Sequence, residues 1–560
     1  MAQPQQNITI DAPGFQGINT EDSPLQQDTN YCLVADNAVV DRFGRIGCRK
    51  AFAEYTTAVN VSYTPAVGVA STAIKTHRLG SGILTNTTTI LATVSVIQRD
   101  AAGSFLQEDY FLCKLVGLAL EELTLPTMLL SSSLADAQIV SFKDEMFVFS
   151  IGNDPLVYDG TTVTNLSADP GYITPQDQNG TIAVRLDGNI AISAYGRLWV
   201  TGVDSNYTSI YYSDLLIPAQ WYDGRTVPAD PLNTGGILDV AAYWPKGTDR
   251  IVNLVAHNNA LFIFGRNSIL VYEGAASADP AGVDGIRLAD TVSNIGLVSR
   301  DAVANIGTDI LFVDDSGVRS LGRTIQEKSV PIGDLTYNIR RDITLEISST
   351  ADKKTISLSY WPDEDISVLL FSGSAQAFVI EMRAPSNTGG SKMTRWTGCV
   401  FERALYYEED DAARAILASS IGDGVYEYTE FLEHTGEAYQ FKYQSSSLTM
   451  GQPANLKFLK QIDYTIVSSK QPTIAHAEWG YKGRLDYSRE ITVDAQVAAL
   501  YDIALFGVGE FGLGLTTIKR YRVNTKGSGE SLLIGLRADI AGNGFSLQQI
   551  NIQTLLGRIN

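Results

Sequence analysis

The sequence predicts an all-β fold: a β-propeller of irregular blades with a β-sandwich-like body built from the two ends of the chain. Three observations predict it. A strand–turn–strand phrase recurs through the middle of the 560 residues. The composition, with 49 Gly and 26 Tyr among abundant Ser, Thr and Asn, suits short strands joined by tight turns. β segments of a different character bracket the repeats on both sides.

The phrase is clearest at Leu261 to Phe264, a polar turn at Gly265 to Ser268, then Ile269 to Gly274. It also reads Met146 to Phe149 with Pro155 to Gly160. Looser copies are Arg197 to Val200 with Ser209 to Ser213, and Ile310 to Val313 with Gly317 to Leu321. The strand starts Met146, Leu198, Leu261 and Leu311 are 52, 63 and 50 residues apart. Propeller blades run at about 40–50 residues. The longest gap holds Trp221 to Arg225 and Asn233 to Gly236, which reads as an inserted loop. Thr355 to Tyr360 with Ile366 to Phe371, and Ala404 to Tyr407 with Ala415 to Ser420, extend the series to six or seven units.

The ends differ. Turns at Pro13 to Phe15, Gly17 to Asn19 and Asp22 to Pro24 precede an apolar segment from Cys32 to Val40. Phe458 to Ile466, Tyr521 to Thr525, Ser531 to Leu536 and Phe545 to Ile552 read as strands of a second β domain. The expected division is an arm over residues 1–65 that joins the body, a propeller with inserted loops over 66–430, and a C-terminal β domain over 431–560.

Hydrophobic residues make up 44% of the chain, so a folded protein is expected. The net charge of -20 argues against wrapping nucleic acid, which needs a basic surface. Cys32, Cys48, Cys113 and Cys399 lie far apart without a CxxC, which favours free thiols and a reducing assembly site. The first residues lack the basic start and apolar core of a signal peptide, and no apolar run is long enough for a membrane helix.

Residues with chemistry are scattered. His77, His257, His434 and His476 are far apart in sequence. Asp363 to Asp365 and Glu408 to Asp411 lie between strands, where solvated turns are expected and the alternating ligands of a calcium loop are missing. Asp314 to Gly317 reads as a hairpin turn. Tyr195, Trp199, Tyr207, Tyr211, Tyr212, Trp221 and Tyr222 form an aromatic region that fits a strand core, with sugar stacking as the functional alternative. Phe506 to Gly514 is glycine-rich but lacks a P-loop lysine. No residue is assigned to catalysis, to a cofactor or to a metal.

Several stretches together carry a resemblance: Gly14 to Asn19, Ala35 to Ile46 with Arg49 and Lys50, Gly196 to Val200 with Ile210 to Asp214, Ile251 to Leu254 with Leu261 to Ile269, Gly296 to Val303 with Asp309 to Val318, and Phe545 to Ile552. They resemble the tail hub, tail nozzle, tail tubular or phage stabilisation proteins of short-tailed bacteriophages. Phe15 to Gly17 and Arg49 to Ala51 depart from that family's pattern. The resemblance implies a non-enzymatic virion protein of the tail, assembled in the host cytoplasm. It implies a cyclic, hexameric ring below the portal and head–tail adaptor. Such a ring would extend the DNA ejection channel, pass genomic DNA without binding it specifically, and carry tail fibres, spikes or a plug. The competing reading is a secreted or surface propeller that binds glycans or hydrolyses glycosides. A third is an intracellular propeller scaffold.

Overall fold

The computed structural model describes residues 5–12, 14–126, 130–224, 233–282, 285–327, 334–387, 389–409, 412–419, 424–429, 438–467, 472–494, 518–542 and 544–557. The repeats form a propeller. Each blade begins with its inner strand, and successive inner strands pack around one axis. Six sheets are blades in their own right. The first holds Ser71–Leu84, Thr87–Arg99, Phe105–Val116 and Ala119–Glu122, with Ala58–Asn60 added in parallel. The next three start at Gln138–Phe142, Ile190–Ala194 and Ile251–His257, and each has four strands. Val303–Asn305 opens a three-stranded blade, and Phe401–Glu409 opens the last.

The position between these last two is filled differently. Ile356–Trp361, Ile366–Phe371, Gln376–Pro385 and Ser391–Thr397 form a blade-like meander that continues into the body as one nine-stranded sheet. The last separate blade is closed by Ala51–Glu54 from the N-terminal side, paired with Val425–Thr429. That strand joins the two ends of the ring through a backbone ladder.

Local chemistry explains the hairpins. Asn258 and Asn259 join two strands of the fourth blade with φ of 47° and 62°. Two consecutive positive-φ residues match the right-handed twist of the flanking strands, and Asn tolerates that conformation well. Blade faces then bury their apolar residues against each other. Phe264 of the fourth blade meets Phe312 of the fifth at 5.3 Å, while within the third blade Trp199 lies tilted against its cross-strand partner Tyr212 at 4.9 Å.

The body is a sandwich. One sheet continues the meander through Cys32–Asp36, Tyr439–Ser445, Leu532–Ile540, Thr473–Tyr481 and Tyr487–Val493. The facing sheet contains Ala38–Val40, Ile46–Cys48, Ser546–Leu556, Lys457–Val467 and Ile518–Asn524, with Gln5–Asp11 beside Ser546–Leu556. Phe441 meets Phe545 between the sheets at 5.2 Å, and the Tyr464 hydroxyl donates to the Gly535 carbonyl across the same gap at 2.9 Å.

Propeller and body meet at Arg49, which is fully buried. Its guanidinium lies 4.1 Å from the Tyr439 ring centroid and 4.7 Å from that of Phe52. It donates to Asn37 Oδ1 and the Lys50 carbonyl, each at 3.0 Å. A desolvated cation against aromatic faces contributes about 2 kcal/mol or more. The arm itself needs a glycine here. Gly17 has φ +79°, and a Cβ on it would lie 2.5 Å from the Met393 carbonyl oxygen.

Among the described residues two α-helices, Leu321–Glu327 and Arg340–Ser349, lie within the all-β frame. The second buries Ile343 and Ile347 one turn apart. Among the described residues no helix is long and apolar enough to cross a membrane.

Candidate functional site on the sandwich face

The residues singled out in the sequence do not converge. His77 is buried, and its Nε2 lies 2.8 Å from Ser95 Oγ. Burial, then Lys75, Arg78 and Arg403, pushes its pKa down to about 3, so the imidazole is neutral. His257 and His476 lie on strands of different sheets. His434 lies outside the described residues, as do Asp410, Asp411 and the segment Phe506 to Gly514. The acidic turn at 363–365 is neutralised locally, with Glu364 on Lys50 and Asp365 on Arg383. Asp314 caps the amides of Ser316 and Gly317 at 2.8 and 2.9 Å, the work expected of a hairpin aspartate. In the aromatic region Trp199, Tyr211, Tyr212 and Trp221 are core, while Tyr195, Tyr207 and Tyr222 are half-buried. All four cysteines are free and buried. Burial pushes Cys48 and Cys113 up to about 12, which makes poor nucleophiles.

Around the propeller axis the structure brings together charges that the sequence scatters. Arg78 places one terminal nitrogen 2.7 Å from Asp301 and the other 2.6 Å from Asp136. Arg300 reaches Asp136 at 3.1 Å, Arg403 reaches Asp301 at 2.7 Å, and Lys354 reaches Asp136 at 2.8 Å. Asp136, Asp301 and Lys354 stand just ahead of three inner strands, and Arg78 and Arg403 stand within two others. Burial raises the pKa of both aspartates, but the surrounding cations outweigh it and hold Asp136 below, and Asp301 well below, the usual carboxylate range. Neither can carry the proton that a glycosidase acid donates. The cluster is a self-paired seal that ties blades together.

The outer face of the sandwich is different. The strands Gln5–Asp11, Ser546–Leu556, Lys457–Val467 and Ile518–Asn524 lie side by side, and their registers align three rows of four residues. One row is Asn7, Gln553, Gln461 and Asn524. The next is Thr9, Asn551, Asp463 and Arg522. The third is Asp11, Gln549, Thr465 and Arg520. Directly paired residues share a face, so twelve polar side chains form a grid with no apolar member. The alternate rows, Ile8–Ile552–Ile462–Val523 and Ile10–Ile550–Tyr464–Tyr521, point into the sandwich.

Within the grid Thr9 Oγ1 donates to Asn551 Oδ1 at 2.6 Å, and Asn551 Nδ2 donates to Gln549 Oε1 at 3.2 Å. Asp463 is covered by Arg520, by Arg522 at 3.2 Å and by Gln461 at 2.7 Å. Two arginines balance two aspartates, so the face carries no net charge. Sequence reasoning found these strands but not their common face. The available signal was the alternation Gln5, Asn7, Thr9, Asp11 and its counterpart Gln549, Asn551, Gln553.

No family model and no curated protein matches the chain. Solved structures do match it. YCF48 bound to D1 peptide matches with 10% identity over 66% of this chain and 97% of that one, at a TM-score of 0.32. An exo-β-1,3-galactanase from Phanerochaete chrysosporium with galactose matches with 8% identity over 90% and 100%, at 0.23. TmCBM61 in complex with β-1,4-galactotriose matches with 16% identity over 28% and 87%, at 0.14. None of the three is a phage tail protein, and the assignment to the tail hub family is withdrawn. The virion role falls with it. The expectation that the chain is no enzyme is withdrawn too, because glycoside hydrolases stand among the matches. At these identities and TM-scores the likeness assigns neither a ligand nor an activity to this chain.

Proposed function

We propose that this chain is a glycan-binding β-propeller protein whose sandwich face is the binding surface. The observation that supports the reading is the twelve-residue polar grid in register over four strands. Amide side chains offer both donors and acceptors, and each sugar hydroxyl does the same. A face without net charge suits a neutral ligand better than a polyanion such as nucleic acid, which is held by excess cations. The guanidinium groups of Arg520 and Arg522, half to mostly exposed at one edge, add planar donors for hydroxyl pairs.

The test is direct binding of the intact protein to neutral polysaccharides, read by affinity electrophoresis and calorimetry. The double variant Asn551→Ala/Gln553→Ala should weaken binding about tenfold or more, since each lost neutral hydrogen bond is worth about 1 kcal/mol. Binding that ignores this variant, or a failure to bind any neutral polysaccharide, would refute the reading. Two copies joined through these faces, seen by light scattering and broken by the same variant, would reassign the grid to self-association.

A further inference from the structure

The strand Gln5–Asp11 has a partner on one side. It pairs with Ser546–Leu556 through seven consecutive residue pairs without a bulge, and among the described residues no strand pairs with its other side. The Ala12 amide donates to the Gln548 carbonyl at 2.9 Å. Hydrogen-bonded positions alternate along an antiparallel pair, so Ile10, Ile8 and Gln6 aim their backbone groups at Ser546–Leu556. Asn7 and Thr9 then aim theirs outward, and both residues are exposed. The Asp11 carbonyl is already taken by the Gly14 amide at 2.6 Å, so the open edge centres on Asn7 and Thr9.

Free edges are normally guarded by charge, proline or bulges. At the opposite end of the same sheet, Ile518–Asn524 carries Lys519, Arg520 and Arg522. Gln5–Asp11 has no Lys, Arg or Pro, and its one charge, Asp11, stands at its end.

A groove of about 550 Å³ lies along this edge. Gln6, Asn7 and Ile8 line it, and no residue of Ser546–Leu556 does. The turns at Leu25 to Thr29 and Thr449 to Gly451 bound it, standing where the strands of a second sheet would have to pass. A strand residue inside a sandwich fills about 160 Å³, from the strand spacing, the sheet spacing and the rise, so the groove accepts about three to four residues. Its chemistry follows from position. A strand added here extends the row Asn7, Gln553, Gln461 and Asn524, so its residue opposite Asn7 is polar. The residues on either side turn toward Ile8, Leu25 and Met450, of which Ile8 and Met450 already pack against the core, so these are apolar. Asp28 is the one charged residue lining the groove, which disfavours an acidic occupant.

We infer that this edge binds an extended peptide segment of alternating apolar and polar residues, free of acidic side chains, by adding it to the sheet as a further strand. The site rests on backbone groups and is independent of the glycan reading.

The probe is a fluorescent, capped hexapeptide alternating Val and Thr, and the readout is fluorescence anisotropy with the full chain. Saturable binding is expected. Methylating the amide nitrogens of one residue type, the set that faces the edge, should weaken binding about tenfold or more through lost hydrogen bonds. Methylating the other set should not. Asn7→Pro, which removes the outward amide, should abolish binding, while Asn7→Ala, which keeps it, should spare it. Should Asn7→Pro lower the melting temperature, the methylated peptides decide. No binding, equal loss with both methylated sets, or equal loss in both Asn7 variants overturns the proposal. Chains that pair with each other by light scattering and separate in Asn7→Pro would assign the edge to a second copy and overturn it too.

Discussion

The propeller axis and the sandwich face are both dense polar clusters, yet they are built on opposite plans. At the axis three arginines and a lysine close on two aspartates and on nearby backbone carbonyls, so that most of their donors are engaged within the fold. On the face, amides and hydroxyls stand in rows with only part of their hydrogen-bonding capacity engaged. A cluster that satisfies itself holds a fold together. An array that leaves valences toward solvent is available to a ligand.

Substitutions should separate the two plans. The largest effect is expected at the axis. Asp301→Ala leaves Arg78, Arg300 and Arg403 without their shared carboxylate, and breaking such a buried pairing costs about 3–5 kcal/mol. Urea denaturation should show that loss with saccharide affinity unaltered wherever the variant is folded. A loss below 1 kcal/mol would mean that the axis is no keystone. Arg49→Ala should follow closely, at about 3 kcal/mol, because it removes the cation from its aromatic enclosure and leaves a void where propeller meets body. Arg49→Met should recover part of that by filling the space.

Acid should weaken the axis in two stages. His77 has a folded pKa near 3 and an unfolded one near about 6.5. The unfolded chain therefore binds the extra proton first, and stability declines as pH falls from the unfolded value to the folded one. Asp136 and Asp301 are depressed below their unfolded values, so their contribution is intact above about pH 4 and is lost below it. Denaturation midpoints measured from pH 7 to pH 3 should fall throughout. His77→Gln should flatten the upper part of that profile and leave the acid end steep. A profile identical to the parent's would remove His77 from the account.

The face should respond in the reverse sense. Asn551→Ala/Gln553→Ala should alter stability by no more than about 0.5 kcal/mol, the usual range for solvent-facing changes, while saccharide binding drops. A comparably small effect on stability belongs to Asp365→Ala, which breaks a partly exposed pair with Arg383 worth about 0–1 kcal/mol and leaves saccharide binding unchanged because it touches neither cluster.

Much of the propeller is legible in the sequence because each blade is local. Leu261 to Phe264 and Ile269 to Tyr272 pair across a short turn, so periodicity and turn chemistry suffice. Ala51–Glu54 is not legible as a blade strand. Four residues carry no period of their own, and their partner Val425–Thr429 lies at the other end of the ring. The passage of the meander into the body is hidden for the same reason, since it depends on Asp36 meeting Arg395. Asp136, Asn189, Arg300 and Lys354 come from separate connections between blades, and only the ring's closure gives them a common centre. The face was half legible. Alternation shows that Gln5, Asn7, Thr9 and Asp11 share a side, but which strands extend that side is a matter of register.

The nine-stranded sheet has a mechanical consequence. It begins beside the propeller axis at Ile356–Trp361 and ends at the sandwich edge with Tyr487–Val493. At its midpoint Asn37 donates from its amide to the Arg395 carbonyl at 2.7 Å, and the Arg395 guanidinium grips Asp36 at 2.8 Å. Two modules joined by a loose linker would swivel when one of them was pulled. Here a sideways load on the body passes along a continuous ladder of strands, so the molecule should behave as a stiff strut and yield first where that ladder is thinnest, between Cys32–Asp36 and Ser391–Thr397.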